Sequence, residues 1–388
     1  MRKLKKNVYK IFRVTYFFTI LFFNLILHAQ SLSQSVPANI SLIHPLQQCW
    51  KSKINPTVSY FFGSDNGSEF NTILSENSLL PSFNQRLEQL DSKDGHRIWI
   101  SELDGKIVSK LFITEKEILL VVKTDEGYIF KNISKITGIV NWKAKLDGSP
   151  LGDDEVFLRL LADRIIIINQ NGDCYALNKE NGEFLWKAQT GAKLTSQPAF
   201  GENTVAFGNA DRKLVMISVV DGTKIVEFKT KNLITAIALQ TPAQLVYGDK
   251  KGNIFAMDLK TDNKIWEIRQ GAEISDINPS RIGLLVSSFD NFVYLLSPNS
   301  GKVLWKKRFP GRILYKPLIL DKYAVVTNSY DSNVAFIDLK DGRTINRLVF
   351  EEGNYFINNV VVERRLIIFS NTLGITAYSL LPGGCKDN

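Results

Sequence analysis

The sequence is poor in cysteine and histidine, with three of each in 388 residues. So few cysteines exclude a disulfide-stapled scaffold and leave room for one internal bridge at most. The histidines, at positions 28, 44 and 96, have no ligand spacing and offer little from which to build a zinc site. Beyond the N-terminus there is also no extended basic run. Lys and Arg outnumber Asp and Glu by 48 to 39. Six of these cations (Arg2, Lys3, Lys5, Lys6, Lys10, Arg13) stand near the start, and without them the formal charge of +9 falls to +3. A nucleic-acid binder keeps a basic stripe after such a subtraction. None is legible here, and nucleic acid is set aside as a partner. Amphipathic helices are missing beyond residue 46. With 44% hydrophobic and 22% charged residues the composition is that of a globular chain, neither disordered nor polytopic.

What is present begins with an address. Residues 14–29 read VTYFFTILFFNLILHA behind the basic flank. This is the layout of a secretory signal, too short to span a bilayer with ease. Cleavage after Ala29 is the leading reading, and an uncleaved anchor is the alternative. Both export the remainder, to the periplasm free or held at the inner membrane, with the basic flank inside. Residues 1–29 are therefore signal peptide or anchor, and 30–45 a linker.

From residue 46 short apolar runs such as Ile118–Val122, Ile165–Ile168 and Leu366–Phe369 alternate with Gly, Asn, Asp and Ser. They read as strands, and their regular spacing calls for a repeat. The tryptophans supply it. Trp50, Trp99, Trp142, Trp186, Trp266 and Trp305 are separated by 49, 43, 44, 80 and 39 residues. The gap of 80 is two periods with Val226 in the vacant slot, and one more step reaches Asn346. Four residues before each slot from the second onward stand Gly95, Gly138, Gly182, Gly222, Asp262, Gly301 and Gly342. Four residues before those stand Asp91, Ser134, Asn178, Ser218, Asp258, Ser297 and Asp338. A tight turn needs a residue at positive φ, and a short side-chain oxygen just before it fixes the turn. A third series, Gly127, Gly172, Arg212, Gly252, Asn291, Ser332 and Gly374, marks a hairpin earlier in each unit.

Each unit is thus four antiparallel strands: an inner strand A, strands B and C, and an outer strand D that carries the Trp. A repeated unit of this kind is a β-propeller blade. The first D strand, around Trp50, has no B–C pair before it, and the last pair has no D strand after it. The fold expected is all-β, an eight-bladed β-propeller over 46–381 whose N-terminal strand closes the C-terminal blade, with 382–388 as a tail. The six tryptophans are expected to act structurally, as wedges between blades. Val226 and Asn346 are expected to leave looser seams.

In this register the sequence resembles the quinoprotein-type (PQQ-like) propeller repeat family, whose motif is A-x-D-x-x-x-G-x-x-x-W. Its best copy is Ala176-Leu177-Asn178 with Gly182 and Trp186. Ala256-Met257-Asp258 with Trp266, and Thr137-Gly138 with Trp142, also match. Within that family the chain is similar to the exported, single-domain members that serve the machinery inserting β-barrel proteins into the outer membrane. That resemblance implies no catalysis and no cofactor. It implies a rigid disc that docks on the barrel-assembly subunit and assists unfolded client chains. One departure is plain: those members carry a lipid-bearing cysteine at the signal cleavage site, where this chain has Leu-His-Ala-Gln-Ser at 27–31.

Two other readings stay open. One is an exported propeller serving a different envelope complex. The other is a PQQ-dependent dehydrogenase, a family branch that needs a catalytic Asp beside calcium and commonly adjacent cysteines. No Cys-Cys pair exists here. For docking, D–A and B–C loops share one face of a propeller. The richest there are Leu146–Val156, with Asp153 and Asp154, and the loop around Lys193 and Leu194. These four residues are the expected partner contacts. A third candidate is the blade-one excursion Gly67–Gln85, taken as a B–C connection in a pair that starts near Val58. No catalytic or metal residue is assigned. Cys49 and Cys385 fall in the blade that closes the ring. Two free thiols is the leading reading and a bridge the alternative. Cys174 reads as a small buried apolar residue.

Overall fold

The computed structural model describes residues 45–52, 72–77, 85–90, 94–109, 111–114, 116–146, 155–313, 316–328, 330, 333–350, 356–362, 365–370, 374–380 and 384–385. Continuous apolar runs make the buried inner strands and alternating runs the outer ones, and strands joined by short turns make antiparallel sheets. Blade three is representative. Its strands Val156–Leu160, Arg164–Asn169, Asp173–Asn178 and Phe184–Gln189 lie in sheet in chain order. Strands B and C are almost wholly buried, while the outer strand has a half-exposed pattern with Trp186 turned inward. Blades four to seven repeat this order. In blade two the inner strand is split into Lys106–Ile107 and Phe112–Ile113.

The eighth blade closes the ring. Its sheet runs from Gln48–Ser52 to Gly374–Ser379, Arg365–Ser370 and Phe356–Val362, so the first strand of the chain is the outer strand of the last blade. The fold is an eight-bladed, all-β propeller. Closure leaves no blade with an unpaired lateral neighbour. The blade also carries a Cys49–Cys385 disulfide with the Cα atoms 5.2 Å apart. The reading of two free thiols is thereby corrected. The bridge, the alternative reading, is the one formed, because the closing strand brings the two cysteines within bonding distance.

Blade one departs from expectation. Its described strands are Thr72–Asn77, Gln85–Leu90 and Arg97–Glu102, with Thr72 opposite Leu90 and Asn77 opposite Gln85. Residues 72–77, assigned to a long B–C excursion, are themselves the B strand, so the connection shrinks to 78–84. The apolar Ile73 marks strand here rather than an overlying loop. Val58, the expected start of that pair, lies outside the described residues, as do 67–71 and 78–84 of the excursion.

The apolar core sits in the seams between blades. One cluster joins blades eight, one and two through Trp50, Leu87, Ile118 and Ile375. Six others each bridge one further pair of neighbours around the ring. The tryptophans lie in these seams. Trp99 Nε1 donates to Lys135 O at 2.9 Å, Trp186 to Val219 O at 3.1 Å, Trp266 to Pro298 O at 2.8 Å and Trp305 to Leu339 O at 2.7 Å. Every acceptor belongs to the next blade. Burying an indole in this way contributes about 4–6 kcal/mol as an upper bound.

The C–D turn beneath each indole is held as its residue types require. Asn178 Oδ1 accepts from Glu180 N at 2.8 Å, and Asp258 and Asp338 accept from Lys260 N and Lys340 N at the same distance. The glycine four residues on takes a positive φ, 74° at Gly182 and 68° at Gly301. In the hairpin series Arg212 (φ 58°) and Asn291 (φ 69°) adopt the same left-handed conformation without glycine.

Candidate functional site

Antiparallel strands place the D–A crossovers and B–C hairpins on one face of the disc and the C–D turns on the other. On the first face four of the described crossovers each drive one apolar side chain into a seam. Leu194, Ile234, Ile274 and Ile313 recur at this step and are 4%, 1%, 0% and 1% exposed. A Cβ on Gly208 would stand 2.4 Å from Ile234 Cβ, and one on Gly248 would stand 2.6 Å from Ile274 Cβ. Glycine is needed there so that the plugs can seat. Hydroxyls next to the plugs tie blade to blade: Thr195 Oγ1 donates to Ile234 O and Thr235 Oγ1 to Ile274 O, both at 2.7 Å.

Backbone bonds then stitch crossovers to hairpin tips. Ala210 N donates to Lys193 O at 2.8 Å, Thr230 N to Arg212 O at 2.7 Å, Lys250 N to Leu233 O at 2.9 Å and Gln270 N to Gly252 O at 2.8 Å. Asp249, 2% exposed, accepts from Lys251 N (2.8 Å) and Asn253 N (2.9 Å), and from the Asn232 side chain (2.8 Å). Its carboxylate is spent on shaping the loop. Asp290 serves likewise, taking the Tyr294 hydroxyl at 2.7 Å. Burial, reinforced by that bond, pushes the Tyr294 phenol well above its usual range.

The stitched loops hold charge in fixed places. Arg212, Lys229, Lys231, Lys250, Lys251 and Arg269 are all exposed on blades four and five. None of the six makes an ion pair among the described residues. Exposed Lys193 adjoins them. On blade two the same face is mixed, with Asp125 and Glu126 exposed at the hairpin tip beside half-buried Lys106 and Lys123, and half-buried Glu155 follows at the start of blade three. Lys145 pairs with Glu126 at 3.5 Å. Individually such charges bind little, but an arc in which six exposed cations outnumber the exposed Asp211 sums to a field that steers and selects a partner.

The four expected contact residues separate. Lys193 stands exposed beside the basic arc. Leu194 is buried as a seam plug and presents nothing to a partner. An apolar residue in a surface loop suggested a contact, whereas its 40-residue spacing to Ile234 and Ile274 marks it as packing. Asp153 and Asp154 lie outside the described residues. The basic arc was missed because its members are scattered from 193 to 269 in sequence. Superposing the repeats would have found them at hairpin tips and D-strand ends. Among the described residues no three of His, Cys, Asp and Glu gather as a metal-ligand set.

Comparison with known proteins follows the same lines. A family model described as outer membrane protein assembly factor BamB matches residues 47–268 and 250–349. BamB of Shewanella oneidensis is 20% identical over 263 residues, 53% of this chain and 66% of its own length. BamB of Yersinia pestis is 22% identical over 294 residues, 75% of this chain and 66% of its own. The chain thus spans just under two thirds of these two relatives. BamB of Moranella endobia is 23% identical over 338 residues, 78% and 85% of the two chains. Among solved structures, BamB from Moraxella catarrhalis superposes with a TM-score of 0.64 at 15% identity, covering 86% of this chain and 99% of its own. The computationally designed Ika8 protein gives 0.68 at 14% identity with the same coverage. At such identities these two likenesses speak for the fold. The family model spans most of the propeller, and the chain belongs to the outer membrane protein assembly factor BamB family.

Proposed function

We propose that the chain is an exported, non-catalytic scaffold that supports assembly and insertion of β-barrel proteins at the outer membrane through protein–protein contacts. The observation that carries this reading is the BamB family match over a closed ring whose loop face is rigid and openly charged. A rigid face with fixed charges suits recognition of a folded partner, because little entropy is lost on binding. The partner is the barrel-assembly subunit, and unfolded outer-membrane chains are clients. Residues 1–29 act as signal or anchor, 30–45 as linker, 46–381 as the working propeller and 382–388 as a tail. A disulfide in the closing blade suits the oxidising periplasm.

Docking falls on the basic arc of blades four and five, with Lys193 at its border. The test is recovery of partners from chemically crosslinked envelopes with the tagged full chain. Barrel-assembly subunits are expected in the wild-type eluate and depleted with K231E/K250E/K251E. Their absence from the wild-type eluate would assign the propeller to another envelope complex.

A further inference from the structure

The outer rim carries a second charge pattern, which the docking face does not explain. At the position after each Trp slot the side chain points outward from the edge strand. On blades four and five it is Glu227 and Glu267. Glu227 is paired to Lys213 at 2.5 Å and to Lys224, and Glu267 to Lys264 at 2.6 Å. Blades two and three carry exposed Lys143 and Lys187 at this position and blade one Ile100, and on blades six, seven and eight it holds Lys306, Arg347 and Lys51, all exposed. Lys306 lies over the Phe292 ring, and none of the three has an acidic partner among the described residues. Arg308 extends the row, and Lys307 between them is half-buried. Burial, with a lesser push from Arg347, lowers the Lys307 ammonium below its usual range. Apolar side chains are exposed on both arcs, Leu304 (49%) and Val349 (75%) on one, Ile225 (51%) and Ile265 (45%) on the other. Charge distinguishes the two arcs, and an acid at this position is confined to blades four and five.

The basic arc is also where the chain enters the ring. Gln48–Ser52 is the outer strand of blade eight, diametrically opposite blade four. The apolar stretch 14–29 is joined to it by residues 30–47, which reach at most about 60 Å when fully extended. A bilayer that receives that stretch meets the entry side of the rim first. Cations beside exposed aliphatic side chains suit the interface of an anionic leaflet: the aliphatic groups reach the headgroup boundary and the cations reach the phosphates. The glutamates of blades four and five suit the side turned away.

We infer that the rim of blades six to eight is a docking surface for an anionic phospholipid leaflet and holds the disc edge-on to the membrane, leaving the loop face free. This rests on the anchor reading of residues 1–29 and not on the identity of the protein partner. Each cation beside such a leaflet contributes about fivefold to binding.

The test uses the full chain reconstituted in vesicles of phosphatidylcholine with or without phosphatidylglycerol. A photoreactive residue is placed at Leu304 or Val349, and at Ile225 or Ile265 for the opposite rim. Lipid adducts several-fold stronger at 304 and 349, only when phosphatidylglycerol is present and lost with K306E/R347E, are the expected result. Equal labelling of both arcs, or labelling indifferent to lipid charge, would overturn the inference. Protein adducts instead of lipid at 304 and 349 in native envelopes would likewise overturn it, assigning the arc to an acidic protein. A cooperative thermal transition unchanged in K306E/R347E keeps a folding defect from imitating the loss.

Discussion

At the C–D turns glycine meets two demands at once. Positive φ is one, and Asp262 (φ 56°) meets it with a side chain. The indole is the other. A Cβ on Gly182 would lie 2.5 Å from Trp142 Cε3, and one on Gly222 would lie 2.6 Å from Trp186 Cε3. The single slot between Trp142 and Trp305 that lacks Trp is Val226, and the turn it faces is the one built on Asp262. The other vacancy, Asn346, faces blade eight, whose outer strand arrives from the far end of the chain and forms no C–D turn. Both gaps are therefore complementary to their neighbours. Val226→Trp is expected to destabilise by about 1–3 kcal/mol through overpacking, and Asp262→Gly in the same chain to recover most of that loss. Denaturant unfolding of the two single variants and the double variant measures the coupling; strict additivity would contradict the fit. Cysteine chemistry is a second residue-level test. Burial pushes the Cys174 thiol up to about 12, so the native protein should resist alkylation at neutral pH. In denaturant, thiol titration should count one thiol per chain without reductant and three with it.

At the scale of strands and turns much was legible beforehand. The Trp–Gly–Asp/Asn/Ser register fixes where strands C and D lie because each residue type answers a local backbone need. Blade one was misjudged because its strand Thr72–Asn77 lacks that register. The plug at Leu194 and the scattered cations at 212–269 were opaque one at a time, since their meaning comes from loops brought together by blades. The disulfide was undecidable for the same reason, as 336 residues separate its halves. The closing blade joins the chain ends by one strand pair, Gln48–Ser52 on Gly374–Ser379, with the bridge beside it. Cross-linking positions 336 residues apart should stabilise by at most about 6 kcal/mol in the chain-entropy model. C49S/C385S is expected to lower the midpoint of thermal unfolding and to match the wild type measured in reductant. An unchanged midpoint would mean that strand pairing alone carries closure.

The whole molecule is a wheel with a charge-paired rim sector opposite its entry strand and a loop face whose free cations gather on blades four and five, while Asp125 and Glu126 stand at the tip of blade two. Opposite signs on one face select orientation as well as partner, because a rotated partner brings like charges together. Salt should weaken docking, since exposed charges are screened beyond about 8 Å at physiological ionic strength. Photo-crosslinking in intact envelopes is the decisive measurement, with the probe at Lys251 on the basic loop face or at Thr261 on the C–D turn of the same blade. Adducts with the barrel-assembly subunit from position 251 and none from 261 are expected. Adducts from 261 alone, or no such subunit from either position, would contradict a scaffold that works through its loop face.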